Sequence, residues 1–128
     1  MTIHERKRLG ALVVGKSVAQ GNWQLNVLPA YVEAGREYEE SFLVALFDHG
    51  KWTPTGFTIA GTRPLLSEIG SVLSRHGIKY QMRPAHLTVP IQDADSIKAI
   101  RLLLVDRRTL SLILAYRSQF KQQALSAA

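Results

Sequence analysis

Cysteine is absent from the 128 residues of this chain. Without thiols the chain can form neither a disulfide framework nor a thiolate metal site. Long hydrophobic runs are also missing, since the longest ones, around residues 100–105 and 110–115, are far too short to span a bilayer. The basic N-terminus has no convincing cleavage site. We therefore expect a protein without a membrane segment, located in the cytoplasm or in a genome-bearing compartment.

Complete catalytic motifs are lacking as well. The four histidines are scattered without His-Glu-x-x-His spacing, and the sequence has no phosphate-binding loop, dinucleotide fingerprint or Gly-x-Ser-x-Gly elbow. His86-Leu-Thr88 has the His-x-Thr form that some phosphoesterases use in pairs, but it occurs here once. Asp93 and Asp95 are able to hold Mg²⁺, although helix capping is the commoner use of such residues. The sequence predicts no cofactor, no metal site and no catalytic residues, and favours a binding protein over an enzyme.

Acidic residues are few: 10 Asp and Glu stand against 16 Lys and Arg, which gives a net charge of +6. This excess favours a polyanionic partner, because each phosphate that a Lys or Arg neutralises releases condensed counterions. Hydrophobic residues make up 46% of the chain, enough for one ordinary core. We therefore predict a single domain over residues 1–128 that binds DNA or RNA.

The first half of the chain predicts two helices and two strands. Apolar residues recur at helical spacing over residues 3–15, with Gly15 as the expected end. Alternation predicts a half-buried strand over residues 22–32, with Pro29 limiting how far it runs in a ladder. Residues 33–52 suit either a helix or a buried strand, and the acidic start with Gly50 at the end favours the helix slightly. Residues 52–60 alternate again and predict a second strand.

The second half is clearer. Thr62 as a cap, Pro64 in the first turn and Gly77 at the end predict a helix over residues 62–77. Residues 78–83 and 86–89 predict a hairpin, which is followed by a helix capped by Asp93 or Asp95 and by a last helix over residues 109–122. The fold class is therefore α+β: a four-stranded antiparallel sheet with helices packed on one face, in an α-β-β-α-β-β-α-like order plus a C-terminal helix.

Strand alternation also predicts the chemistry of the exposed sheet face. With the apolar strand residues turned toward the helices, the outer face receives only uncharged polar or basic side chains. Amide, hydroxyl and guanidinium groups recognise base edges and phosphates. The candidate nucleic-acid-binding residues are Gln24, Asn26, Thr58, Lys79, Gln81, Arg83, His86 and Thr88. Trp23 and Trp52 are further candidates, for stacking on unpaired bases, although tryptophan is more often a core residue.

Residues 65–80, His86-Leu-Thr-Val89 and residues 95–100 resemble the second helix, hairpin and third helix of the LAGLIDADG homing endonucleases and their non-cleaving relatives. Residues 9–17 resemble the helix that carries the namesake motif. Val14 and Lys16 stand where that family has the acidic residue that holds a divalent metal, which argues against metal-dependent cleavage. The resemblance implies a curved four-stranded sheet that forms a saddle for DNA or RNA. It also implies a homodimer packed through the first helix, with Gly10 and Gly15 permitting close approach.

Three other functions stay open. A strand at residues 41–47 would favour a single-stranded DNA-binding sheet similar to that of the Whirly-like proteins. Alternatively, the chain is an interaction subunit of a larger complex, with residues 42–47 or 110–116 as the partner surface. A divergent, active LAGLIDADG endonuclease would depend on Asp48, Asp93 or Asp95.

Overall fold

A computed structural model of the chain describes residues 2–21, 27–104 and 107–126, with the side chains of residues 109–119 in the last segment. Helix α1 spans Ile3–Ala19 and a 3₁₀ turn spans Ala30–Glu33. Next come α2 (Arg36–His49), β1 (Lys51–Thr53), β2 (Gly56–Ala60) and α3 (Arg63–Arg75). The chain continues through β3 (Gln81–Arg83), β4 (His86–Pro90), α4 (Ala94–Leu103) and α5 (Arg107–Ser126).

Helix α1 begins at a capping box. The Thr2 hydroxyl accepts a hydrogen bond from the Glu5 N–H, and the Glu5 carboxylate accepts one from the Thr2 N–H. The expected end at Gly15 is wrong, because the helix continues to Ala19. Gly15 is buried against α2, and a Cβ atom there would lie 2.4 Å from the Phe42 carbonyl oxygen. Gly15 therefore permits close packing of the two helices.

The strand predicted over residues 22–32 is only partly testable, because residues 22–26 lie outside the described part of the chain. For residues 27–32 the prediction is wrong. Pro29 is followed by the 3₁₀ turn, in which Val32 N–H donates to the Pro29 carbonyl and Val32 is fully buried. Proline fixes its own backbone and donates no hydrogen bond, so it favours this turn over a ladder position.

The ambiguous segment forms α2, which confirms the preference for a helix over residues 41–47. Phe42, Leu43, Leu46 and Phe47 are fully buried. These side chains form part of the core, and within residues 42–47 only Val44 is partly exposed.

The sheet is antiparallel with strand order β1-β2-β4-β3. The segment predicted as one strand over residues 52–60 is a hairpin instead, with Pro54 and Thr55 as its two-residue loop. The predicted hairpin β3-β4 is confirmed with Pro84 and Ala85 as its loop, although β3 begins only at Gln81. The α-β-β-α-β-β-α order thus runs from α2 to α4, with α1 before it and the C-terminal helix α5 after it.

Both helices that flank the second hairpin form as predicted. Helix α3 has Thr62 at its N-cap and ends before Gly77, whose φ of +73° lies in the left-handed region that favours glycine. Asp93 caps α4 by accepting a hydrogen bond from the Ser96 N–H at 3.2 Å. Ile97 and Ile100 of α4 point into the core.

One core joins the helices to the inner face of the sheet. Its fully buried side chains include Phe57 and Leu87 from the strands and Leu66, Ile69 and Ile97 from the helices. The fold is therefore α+β, as predicted, with helices on one face of a four-stranded antiparallel sheet. Among the described helices, none combines the length and the apolar character that a membrane crossing requires.

Candidate nucleic-acid interface

The outer face of the sheet is organised in rows that cross the strands. Because the register pairs Lys51 with Thr58, Thr58 with Thr88 and Thr88 with Gln81, these four residues form one row across all four strands. The hydroxyl oxygens of Thr58 and Thr88 lie 3.4 Å apart at its centre. The row ends in an ammonium group at one edge and a carboxamide at the other.

Two shorter rows flank this one. Ala60, His86 and Arg83 are paired across three strands on one side, and Thr53 lies opposite Gly56 on the other. His86 and Arg83 are exposed, as are Lys51 and Gln81. We call the residues of these three rows the outer face: Lys51, Thr53, Gly56, Thr58, Ala60, Gln81, Arg83, His86, Thr88 and Pro90.

The outer face carries no carboxylate. Its charged groups are Lys51 on β1 and Arg83 on β3, the two edge strands, and His86 adds an imidazole on β4. Three inter-strand spacings separate the edge strands, so the backbone of the face is about 14 Å wide. A DNA major groove is roughly 12 Å wide and admits a two-stranded ribbon, so the whole face is broader than one groove. The face therefore combines cationic edges with hydroxyl and amide groups between them.

The opposite face is apolar, as alternation predicts. Trp52, Phe57 and Val89 form one buried row, and Ile59, Leu87 and Met82 form the next. Trp52 packs against Phe47 and Phe57, with ring centroids 6.1 and 5.2 Å away, and its indole N–H donates to the Phe47 carbonyl at 2.8 Å. Stacking of Trp52 on bases is thus ruled out by its burial.

Five of the eight predicted site residues lie together on the outer face: Thr58, Gln81, Arg83, His86 and Thr88. Lys79 is exposed but precedes β3, and its backbone N–H donates to the Ser96 hydroxyl at 2.8 Å. Gln24, Asn26 and Trp23 fall outside the described residues. Lys51 and Thr53 were missed, although the alternation of Lys51-Trp52-Thr53 around a buried tryptophan is a signal for both.

A second polar cluster joins the helices. The Glu39 carboxylate is buried on α2, where it accepts a hydrogen bond from Arg75 Nε at 2.7 Å and lies 2.9 Å from His76 Nε2. Glu33 lies 3.4 Å from the same guanidinium. Hydrogen bonding to Glu39 raises the pKa of Arg75 above its ordinary value. This cluster fixes the end of α3 against α2 and the 3₁₀ turn.

The carboxylates expected for metal-dependent cleavage lie at the ends of two helices. Asp93 is engaged as the α4 cap, Asp95 is exposed two residues further along the chain, and Asp48 lies in the last turn of α2. Within the described segments, no group of three His, Asp or Glu side chains is arranged to hold a metal ion.

The two glycines expected at a dimer interface are used within the chain. Gly15 packs against α2, and a Cβ atom at Gly10 would lie 3.0 Å from the Tyr31 hydroxyl. Both glycines therefore serve packing within the chain, and the expected homodimer stays a prediction. Comparisons of this chain with models of known families, with curated proteins and with solved structures find no match.

Proposed function

We propose that this chain is a non-catalytic nucleic-acid-binding protein that uses the outer face of its sheet. The observation that supports this most directly is the composition of that face: ten residues from four strands, none of them acidic, with Lys51 and Arg83 at opposite edges. An ordinary solvated sheet face mixes carboxylates among its polar residues. Cations at the edges suit the phosphates on both sides of a groove, while hydroxyl and amide groups between them suit base edges.

A duplex fits this face better than a single strand. Proteins that bind single strands without sequence preference stack bases on aromatic side chains. The outer face contains no Phe, Tyr or Trp, since Trp52 and Phe57 belong to the buried row. In addition, residues 41–47 form a helix, which removes the feature that would favour the Whirly-like alternative.

We also propose a relationship to the LAGLIDADG proteins, which the α-β-β-α-β-β-α order supports. This order runs from α2 to α4. The helix that leads into the first hairpin is therefore α2 and not residues 9–17. Helix α2 ends at His49 and has one carboxylate, that of Asp48, in its last turn. Hydrolysis in that family requires a bound divalent metal. Among the described residues no group of three His, Asp or Glu side chains is placed to hold a metal, and we derive no cleavage step from the resemblance.

The test is the double variant Lys51→Ala/Arg83→Ala. We expect affinity for duplex DNA to fall about ten-fold or more and the salt dependence of binding to weaken by about two counterions, because two phosphate contacts are lost. Fluorescence anisotropy with labelled duplex DNA, single-stranded DNA and RNA at two salt concentrations measures both quantities. Circular dichroism checks that the variant is folded.

The control is Arg6→Ala/Lys16→Ala, which removes two exposed cations from α1 and causes the same change in net charge. We expect it to change duplex affinity less than three-fold. Equal losses in both variants would mean that only the overall charge matters, and unchanged affinity and salt dependence in Lys51→Ala/Arg83→Ala would remove the outer face from the site.

A further inference from the structure

A basic groove lies between α4 and α5 in the helix layer. Its volume is about 560 Å³, and it is lined by Ala94, Asp95, Lys98, Arg101, Leu102, Leu110 and Arg117. Lys98, Arg101 and Leu102 lie on one face of α4 at i, i+3 and i+4 spacing. Leu110, Leu114 and Arg117 lie on one face of α5 at i, i+4 and i+7 spacing, and of these Leu110 and Arg117 line the groove. We call this surface the α4–α5 groove.

The groove combines unpaired positive charge with exposed apolar surface. Among the ion pairs formed by described residues, none involves Lys98, Arg101 or Arg117. In the groove lining Leu102 is 80% exposed, and Leu114, on the same face of α5 as Leu110 and Arg117, is 47% exposed, although both side chains are of the size that normally packs in a core. A partner that covers the groove must therefore supply both negative charge and apolar side chains.

A second copy of the chain is a poor source of that negative charge. The chain has a net charge of +6, and three cations against Asp95 make the groove itself positive. Outside the groove, each carboxylate that the structure describes already has a partner within the chain. These are Glu5, Glu33, Glu37, Glu39, Glu40, Asp48, Glu68 and Asp93.

Nucleic acid would pair with the cations of the groove but would not cover its apolar side chains. Phosphates pair with lysine and arginine, but they leave Leu102 and Leu114 in water. An amphipathic helix buries apolar side chains at i, i+3, i+4 and i+7 in such a groove and places acidic residues along its edges. We propose that the α4–α5 groove is a docking site for an acidic amphipathic helix of another protein, separate from the outer face of the sheet.

The probe is a fluorescein-labelled synthetic peptide of about 18 residues, which is long enough for five helical turns. Its Leu residues form a stripe along one side of the helix, and the other positions are Glu and Gln. A scrambled peptide keeps its charge and composition but loses the stripe. We expect micromolar binding of the striped peptide and at least ten-fold weaker binding of the scrambled one. In a two-dimensional ¹H–¹⁵N NMR spectrum, the shifts should concentrate on α4 and α5.

Two groove variants separate charge from apolar contact. Lys98→Glu/Arg101→Glu and Leu102→Gln should each weaken peptide binding at least ten-fold. Both should leave the folded spectrum unchanged and should change duplex binding at 0.15 M salt less than three-fold, because neither touches the outer face. The matched control is Arg6→Glu/Lys16→Glu on α1, for which we expect less than a three-fold effect on peptide binding.

Several results would overturn the docking site without affecting the proposed function. Equal affinity for both peptides, or no effect of Leu102→Gln, would reduce the groove to a general polyanion surface. Loss of duplex binding in the groove variants would make it a second nucleic-acid contact. Self-association that Leu102→Gln abolishes would assign it to a second copy, and absence of peptide binding at millimolar concentration would reject it outright.

Discussion

At Gly15, local helix preference and tertiary packing favour different residues. A glycine inside a helix costs about 1 kcal/mol relative to alanine, and for that reason sequence patterns place it at helix ends. In α1 it lies in the interior, where the absence of a side chain lets the helix approach the backbone of α2 at Phe42. The position of a glycine in a helix thus depends on the neighbouring element, which local sequence does not specify.

We predict that Gly15→Ala destabilises the protein despite the better helix propensity of alanine. The added Cβ atom would lie 2.4 Å from the Phe42 carbonyl oxygen and 2.9 Å from the Ala45 Cβ atom, so α1 must move away from α2. Overpacking of this kind costs about 1–3 kcal/mol. Urea unfolding measures the loss, with Lys16→Ala at the exposed neighbouring position as the control. A Gly15→Ala protein as stable as the wild type would show that the two helices pack less closely.

At the scale of elements, the helices and the second hairpin were predictable from the sequence, and the first hairpin was not. The sequences of α3 and α4 each contain apolar residues with a period of 3.6, which predicts a helix with one buried face. The helix boundaries are indicated by Thr62, Pro64, Gly77 and Asp93. Strand β1 has only three residues, and its loop at Pro54 and Thr55 divides what alternation alone presents as one strand. A prediction from alternation found most of the outer face but missed its β1 edge.

The polar cluster around Glu39 is an element-scale contact as well, since it joins α2, α3 and the 3₁₀ turn through side chains up to 42 residues apart. We predict that Glu39→Gln costs about 1–3 kcal/mol of unfolding free energy, because the amide nitrogen cannot accept from one of the two groups that contact the buried carboxylate. Thermal and urea unfolding measure this loss.

Glu40→Gln is the matched control for that experiment. Glu40 is the next residue on α2, and its pairing with Arg36 is an i,i+4 contact in which both side chains are substantially exposed. We expect a change of less than about 0.5 kcal/mol, which is typical of surface pairs. If the two variants lose equal stability, the cluster does not hold the three elements together.

At the scale of the whole molecule, the core separates two chemically different surfaces. The outer face of the sheet is largely polar, basic and without Phe, Tyr or Trp, whereas the helix layer presents the α4–α5 groove, which combines leucines with cations. Because the buried side chains of α4, Ile97 and Ile100, point toward the core, Lys98 and Arg101 point away from it. Binding at one surface therefore leaves the other sterically open.

We accordingly predict that the duplex and the acidic peptide bind at the same time. At an ionic strength of 0.15 M the Debye length is about 8 Å, so charges on opposite sides of the core are largely screened from each other. Saturating peptide should then change the duplex dissociation constant less than three-fold. At low salt, the negative charge of the peptide should weaken duplex binding further, because it offsets the net charge of +6. Anisotropy titrations of labelled duplex with and without peptide measure both effects, and mutual exclusion at 0.15 M salt would show that the two ligands share one surface.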